Sequence, residues 1–384
     1  MKYRTLGNRV SERISALGFG CMRLPELQPG GGTARGQSID EKEAQRLLRY
    51  AIDHGVNYID TAFPYHNGQS EPVVGRALKD GYRERVLLAT KLPIWQTESI
   101  ADCNSVFHKQ LSRLKTDHID FYLLHALNNE RWKKIQRLGI LEWALEQKRS
   151  GRIRYIGFSF HDEPPMFPVI LDGWKEWDFC QIQYNYVNEE YQAGTAGLRR
   201  AAERGIGVVI MEPLLGGSLA RQPESVQRIF DTASSRRSAA AWALHWLWNK
   251  PEVGVVLSGM TTYEQVVENI SIAEGSQIDL LPPAELALFS DAKLAYEAAR
   301  PVPCTACNYC LPCPNDVDIP ANFAIYNDSV AFERLDVGRQ QYKNDIAEEK
   351  RASSCIQCNE CLEKCPQNIA IPDRLAEVDA AFAT

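Results

Sequence analysis

The chain has 384 residues, of which 45% are hydrophobic and 24% charged, and this composition excludes a disordered protein. Its 43 basic and 49 acidic residues give a net charge of −6, so there is no basic surface to suggest nucleic-acid binding. The first residues lack the apolar core of a signal peptide, and no run of about 18 apolar residues occurs. We therefore expect a cytoplasmic protein without a membrane segment.

Short runs rich in β-branched and apolar residues recur about every thirty residues and alternate with helical patterns. The first helical pattern begins after Asp40, a candidate N-cap, and stops at Gly55. Strands that alternate with helices predict right-handed βαβ units and a parallel sheet. In chain order, the predicted strands are ISALGFG, VNYID, VLLAT, IDFYLLH, IRYIGFS, FCQIQYN, GVVIM and VGVVLSG.

Eight such units predict an α/β fold in which the strands close into a (β/α)8 TIM barrel. A doubly wound open sheet is the alternative, but LGFGCMRL lacks the glycine spacing that such a sheet needs after its first strand. We expect residues 2–13 to form a short hairpin at the bottom of the barrel. The Gly-rich segment 24–40 is expected to lengthen the loop after the first strand, at the catalytic end.

Four polar side chains lie at the ends of the second, third and fourth predicted strands. Asp60, Lys91 and His125 end these strands, and Tyr65 follows Asp60. The set suits carbonyl reduction: Tyr65 gives a proton, and His125 orients the carbonyl oxygen. Lys91 would lower the phenol pKa from its ordinary value of ~10, and Asp60 would hold Lys91. Taken singly, each residue also fits a helix cap, a solvated lysine or a structural histidine.

The runs NYIDTAFPY, LLATKLP and IDFYLLH resemble the signatures of the aldo/keto reductase superfamily, and the resemblance extends over residues 1–290. The resemblance implies a (β/α)8 barrel with a catalytic tetrad. In this sequence the tetrad positions correspond to Asp60, Tyr65, Lys91 and His125. It also implies an extended NADP(H) at the barrel rim, bound without a Rossmann motif, and a small aldehyde or ketone as the substrate.

The same resemblance assigns cofactor contacts. Ser159 and Gln183 are expected to bind the nicotinamide carboxamide. Uncharged Met260, Thr261 and Thr262 occupy the segment where an arginine or lysine normally holds the 2′-phosphate, so NAD(H) stays open beside NADP(H). The full expected set is Gly20, Cys21, Met22, Ser159, Gln183, Met211, Pro213, Leu214, Gly217, Ser258, Gly259, Gln265 and Asn269.

Eight of the 11 cysteines follow residue 303, and such clustering indicates metal ligation. The second group has the C-x2-C-x2-C-x3-C-P spacing of bacterial ferredoxins, whereas the first group has one residue fewer before its last cysteine. Zinc ribbons also use C-x2-C pairs, but the repeated triplets and the prolines that follow favour 4Fe–4S clusters. The expected ligands are Cys304, Cys307, Cys310, Cys313, Cys355, Cys358, Cys361 and Cys365.

Both cysteine groups end in the pattern C-P-x-x-[V/I]-x-I-P, an internal repeat that predicts a ferredoxin-like pseudo-two-fold. In that arrangement the last cysteine of each group binds the other cluster, which gives two clusters; a local pairing or a single cluster remains open. The tail resembles the ferredoxin-type extension found on one branch of aldo/keto reductases. We expect a barrel at 1–283, a linker helix at 284–303 and a small ferredoxin-like iron–sulfur domain with helices at 304–384.

Three functions remain open at this point. The first is an NAD(P)H-dependent carbonyl reductase or alcohol dehydrogenase, with clusters that serve structure or electron transfer. The second is an electron-transfer enzyme in which a redox partner protein docks at the clusters, although no flavin motif links one-electron to hydride chemistry. The third is a nicotinamide-binding sensor that is not a working enzyme. The complete tetrad favours the first.

Overall fold

The computed structural model describes residues 1–27, 38–304 and 306–383, so most of the Gly-rich segment expected at 24–40 lies outside the described residues. The chain divides into two compact units. The first contains most of residues 1–283, and the second contains Ser218–Arg236 and Ala284–Thr384. The domain boundaries predicted from the sequence stay predictions, since the second unit also includes a segment that we expected in the barrel.

The first unit begins with a hairpin, in which β1 (Tyr3–Arg4) pairs antiparallel with β2 (Ile14–Ser15). Leu6, between these strands, is fully buried in the barrel core. A Cβ on Gly207 would lie 2.4 Å from Leu6 Cγ, so glycine is needed where the hairpin enters the barrel bottom. The predicted hairpin is thereby confirmed.

Eight parallel strands then close into a barrel, and each strand pairs with its neighbours in chain order until the last pairs with the first. The predicted barrel is confirmed, and the open-sheet alternative is wrong. The strands are β3 (Leu17–Gly20), β4 (Tyr58–Asp60), β5 (Leu87–Leu92), β6 (Ile119–Leu127), β7 (Ile153–Phe160), β8 (Phe179–Gln183), β9 (Gly207–Met211) and β10 (Val255–Ser258).

Helices and loops connect the strands. The helices up to residue 274 are α1 (Glu41–Asp53), α2 (Ser70–Ala77), α3 (Ile100–Leu114), α4 (Asn129–Leu138), α5 (Ile140–Arg149), α6 (Met166–Asp172), α7 (Gly194–Glu203), α8 (Glu224–Phe230), α9 (Ala239–Trp248) and α10 (Tyr263–Glu274). Asp40 caps α1 as predicted, since its side chain accepts a hydrogen bond from the Glu43 N–H. Among the described residues, no helix has the length and apolar character needed to cross a membrane.

The second unit has the helices α11 (Pro283–Ala298), α12 (Ile319–Ala331), α13 (Leu335–Asp345) and α14 (Ile371–Phe382). A small core packs between α12, α13, α14 and the cysteine loops. Buried Tyr342 is central to this core. Its ring lies 4.6 Å from that of Phe382, and its hydroxyl donates to Asn322 Oδ1 at 2.6 Å and accepts from the Ala352 N–H at 2.7 Å.

Candidate active site and cysteine loops

Strand alternation places the tetrad inside the barrel. Tyr58, Ala89 and Leu123 belong to the core layer, and side chains two residues apart on a strand point to the same face. Asp60, Lys91 and His125 therefore face the interior at the next level, at or near the carboxyl ends of β4, β5 and β6. The structure brings together the residues that the sequence predicted at one rim.

Lys91 is the centre of this group. Its buried ammonium donates to Asp60 Oδ1 at 2.6 Å, to the Tyr65 hydroxyl oxygen at 3.2 Å and to the Thr61 carbonyl at 2.9 Å. Burial lowers the pKa of Lys91, but Asp60 and Tyr65 outweigh burial, so the net shift is upward. All three ammonium protons thus have protein acceptors, and Lys91 is held as a cation.

Tyr65 follows β4 in a short 3₁₀ segment, Tyr65–Gly68. Burial raises the pKa of its phenol, and the Lys91 charge offsets that rise only in part. Lys91 thus lowers the pKa of Tyr65 as expected, but the net shift is upward, because the cost of burying a phenolate exceeds the attraction of a lysine already paired with Asp60.

His125 is a neutral imidazole. Burial, together with the charges of Lys91 and Arg131 and the neighbouring His161, lowers the pKa of its ring well below the ordinary value. Its ring centroid lies 6.1 Å from that of Tyr65. Its Nδ1 is buried and has no hydrogen-bond partner among the described residues. The ring therefore retains hydrogen-bonding capacity for a ligand.

Several expected cofactor residues reach the same rim. Gln183 ends β8 two positions after Gln181, and both amide oxygens are buried without a partner in the described chain. Ser159, on β7, accepts a hydrogen bond from the Ala126 N–H at 2.7 Å and keeps its own proton to donate. Gly20 and Met211 end β3 and β9. A buried unsatisfied acceptor is costly, so these oxygens indicate room for a donor group.

Other expected cofactor residues are engaged within the fold. Asn269 Nδ2 donates to Ser258 Oγ at 3.0 Å, and Gln265 Oε1 accepts from the Thr261 N–H at 2.8 Å. Cys21 is buried, whereas Met22 is 56% exposed. The rest lie in the loops after β9 and β10: Pro213, Leu214, Gly217 and Gly259.

The cysteine loops repeat one backbone conformation. Positive φ angles occur at the same three positions in each run. Two of them are the second and fourth residues after the first cysteine, and the other is the third residue after the last cysteine. These residues are Ala306, Asn308 and Asp316 in the first run and Gln357, Asn359 and Asn368 in the second. Each run then leads into a helix that begins with Ile-Pro, α12 or α14. The shorter first run thus keeps the geometry of the second.

Two pockets lie against these loops. Each is lined by three cysteines of one run together with the last cysteine of the other. The sets are Cys304, Cys307, Cys310 and Cys365 in one pocket and Cys355, Cys358, Cys361 and Cys313 in the other, with Cys310 also bordering the second. All eight thiols are free of disulfides. The described residues include no group of three or more His, Cys, Asp or Glu arranged to hold a metal ion.

Comparison with known families decides the identity of the barrel. Residues 16–280 match the model of the aldo/keto reductase family. The chain belongs to the aldo/keto reductase family. Residues 303–370 match a 4Fe-4S dicluster domain, so this reductase carries a ferredoxin-type region after its barrel.

Relatives of this reductase include oxidoreductases and solved aldo-keto reductase structures. The uncharacterized oxidoreductase YqkF of Bacillus subtilis (strain 168) is 29% identical over 310 residues, which cover 72% of this chain and 93% of the relative. The NADH-specific methylglyoxal reductase of Escherichia coli (strain K12) is 26% identical over 309 residues, which cover 67% of this chain and 89% of the relative. The holo form of aldo-keto reductase AKR11C1 from Bacillus halodurans aligns with a TM-score of 0.63 at 27% identity, covering 76% of this chain and 96% of that one.

The sequence did not predict the buried network behind the reductase tetrad. Glu71, fully buried, accepts from Thr90 Oγ1 at 2.8 Å, Gln110 Nε2 at 2.9 Å and Arg113 Nη1 at 3.0 Å. Gln110 also donates to the Lys91 carbonyl at 3.0 Å, so the network holds β5 beside the active site. No local pattern marks Glu71 as buried, because its partners come from β5 and α3.

The sequence did not predict that His161 and Arg131 lie near His125. Trp95 also lies there, with its ring centroid 5.0 Å from that of His125. His161, directly after β7, and Arg131, in the first turn of α4, both act on the pKa of His125. Trp132, next to Arg131, is buried against Trp177. The histidine in FSFHD was the available signal, since it follows a strand end.

Proposed function

We propose that the barrel reduces the carbonyl group of an aldehyde or ketone with NAD(P)H, or oxidises the corresponding alcohol, and that Tyr65 is the general acid. The contact of Lys91 Nζ with both Asp60 Oδ1 and the Tyr65 oxygen carries this proposal. Because Lys91 donates into the Tyr65 oxygen, the phenol hydrogen is left to point toward a substrate.

The rim residues fit a nicotinamide. The unpartnered oxygen of Gln183 would accept from the carboxamide N–H, and the Ser159 hydroxyl would donate to the carboxamide oxygen. Bound NAD(P)H supplies the hydride. The uncharged run Met260, Thr261 and Thr262 gives no reason to prefer NADP(H) over NAD(H).

The protein groups then handle the proton. Neutral His125 and Tyr65 hold the carbonyl oxygen, and Tyr65 O–H donates its proton as negative charge develops there. A raised pKa keeps Tyr65 protonated, and hydride arrival makes the oxygen a far stronger base than a phenolate. The Lys91 charge stabilises the phenolate that forms, and Asp60 keeps Lys91 charged.

The test is Tyr65→Phe, assayed with a panel of aldehydes and NADPH or NADH. We expect kcat to fall by about 100- to 10,000-fold, the usual contribution of a general acid, with cofactor binding retained. Tyr82→Phe is the matched control, because it removes a surface hydroxyl that donates to Asp53, away from the tetrad. Full activity of the Tyr65 variant contradicts the mechanism, and an inactive wild type that binds the cofactor favours the sensor function.

For the tail, we propose two 4Fe–4S clusters, each held by three cysteines of one run and the last cysteine of the other. The support is the composition of the two pockets. Iron and sulfide analysis after anaerobic purification should then give about eight iron atoms per chain.

The ligand pairing has its own test. The triple variant Cys304→Ala, Cys307→Ala, Cys310→Ala should retain one cluster by electron paramagnetic resonance. Adding Cys313→Ala should abolish that cluster, whereas adding Cys365→Ala should leave it. The reverse result shows local pairing within each run.

A further inference from the structure

Arg131 brings a cationic group beside the active site. It lies in the first turn of α4, and its guanidinium donates to the Ala126 carbonyl at 2.6 Å, one residue beyond His125. Its Cζ lies 4.9 Å from the ring centroid of Trp95, and that ring is 5.0 Å from His125. A guanidinium, an indole and the imidazole of His125 therefore lie in sequence along one wall.

Among the described residues, the charge of Arg131 has no carboxylate partner. Two carboxylates in this region have other contacts: Asp162 accepts from the backbone N–H of Asn129, and Glu98 pairs with Lys134 at 2.7 Å. Within the described chain, no Asp or Glu forms an ion pair with Arg131. A half-buried guanidinium with four donor positions left is unusual, because such groups normally meet an anion.

The other site groups do not compensate this charge. Lys91 and Asp60 cancel each other through their ion pair. His125 and His161 remain neutral near pH 7, since burial and the neighbouring cations lower the pKa of both rings, that of His161 to about 4. Of Asp60, Lys91, His125, His161 and Arg131, only Arg131 therefore has a charge that no other member of the group compensates.

We propose that Arg131 binds a carboxylate of the substrate, so that the preferred substrate is an aldehyde or ketone that also carries a carboxylate group. The aromatic face of Trp95 would cover the carbon skeleton between the two functional groups. This inference rests on the carbonyl reductase function and adds a substrate class to it.

The test compares 3- and 4-carboxybenzaldehyde with the neutral 3- and 4-formylbenzamide, which match them in shape. We expect the wild type to have a higher kcat/KM for at least one acid than for its amide. In Arg131→Gln, this acid-to-amide ratio should fall by about ten- to a hundredfold, the worth of a hydrogen bond to a charged group. Arg131→Lys should recover part of the ratio. Lys133→Gln, which removes an exposed charge from the same helix, should leave the ratio unchanged.

A binding measurement separates this inference from the catalytic proposal. Calorimetric titration with benzoate and benzamide should show benzoate binding that weakens in Arg131→Gln, whether or not turnover occurs. The carboxylate role is overturned if wild type and Arg131→Gln have the same acid-to-amide ratio of kcat/KM, or if they bind benzoate equally well. Either result leaves the proposal of carbonyl reduction intact. If the wild type turns over no aldehyde but binds benzoate more tightly than Arg131→Gln does, the catalytic proposal is overturned instead.

Discussion

The barrel site and the cysteine loops obtain their order in different ways. In the barrel, Asp60 and Lys91 lie on adjacent strands whose register is fixed, and the three acceptors of the Lys91 ammonium are all protein groups. The cysteines lie in loops outside regular structure, where a contact from the Ala306 N–H to Cys304 Sγ, 3.5 Å long, is a weak restraint. The barrel site is thus preorganised by its fold, whereas we expect the cysteine loops to depend on bound iron for much of their order.

Removal of iron should have the largest effect, and it should destabilise the cysteine-containing unit while leaving the barrel folded. Metal binding that orders a small unit contributes directly to its folding free energy. We expect anaerobic chelation to abolish hydrogen-exchange protection in α12 and α14, while β5 and β6 stay protected. Aldehyde reduction should be measured on the same samples. Full protection of α12 and α14 without iron contradicts the idea that the clusters order this unit.

Lys91→Met should give the next largest effect, since it leaves Asp60 as an uncompensated buried charge. Denaturant titration should show a loss of about 3–5 kcal/mol in the free energy of unfolding, together with loss of reductase activity. The double variant Asp60→Asn, Lys91→Met should regain much of the stability and none of the activity.

The control for this pair is Lys134→Met, whose partner Glu98 has a side chain 73% exposed. An exposed ion pair contributes about 0–1 kcal/mol, so little stability should be lost. An equal loss in both variants contradicts the special role of burial at Lys91.

Much of the barrel site and of the cysteine loops could be predicted from the sequence, because the patterns that identify their residues are local. Strand ends identify Asp60, Lys91 and His125, and cysteine spacing identifies the cluster loops. Such patterns were enough to predict the barrel fold and the four residues of the tetrad. The repeat also suggested the crossed cysteine sets, although a local pairing and a single cluster stayed open on the sequence alone.

What could not be predicted depends on long-range packing. The upward pKa shift of Tyr65 reflects the depth of its burial, which no spacing encodes. Arg131 was missed because its significance requires the indole of Trp95 to lie between it and His125. Cofactor residues such as Gln265 were chosen by position in the chain, and their side chains bond within their own loop.

Acidification should destabilise the barrel through His161. Burial, with the charges of Arg131 and Lys91, lowers the pKa of this ring to about 4 in the folded protein, whereas an unfolded histidine binds its proton near ~6.5. The contribution of His161 is therefore complete above pH ~6.5 and is lost as the pH falls toward 4, with a slope of about 1.4 kcal/mol per pH unit.

Urea titrations from pH 4.5 to 7.5 would measure this slope. His161→Gln should reduce the slope without abolishing it, since His125 also has a lowered pKa, and His108→Gln, which removes an exposed histidine, should leave the slope unchanged. Activity should also stay nearly flat between pH 6 and 8, because the lowered pKa of His125 keeps that ring neutral. An unchanged slope in His161→Gln contradicts the linkage.

The smallest predicted effect tests the independence of the two units with matched helix caps. Ser99 Oγ accepts from the Asp102 N–H at 3.2 Å at the start of α3, and Asp318 Oδ1 accepts from the Ala321 N–H at 3.2 Å at the start of α12. Replacing either cap by alanine should cost about 1 kcal/mol, locally. If iron leaves through opening of the second unit, Asp318→Ala should speed its loss to a chelator by about fivefold, and Ser99→Ala should not. Faster iron loss in both variants would mean that the barrel and the cluster unit open together, because a barrel cap would then share in the stability of the cysteine loops.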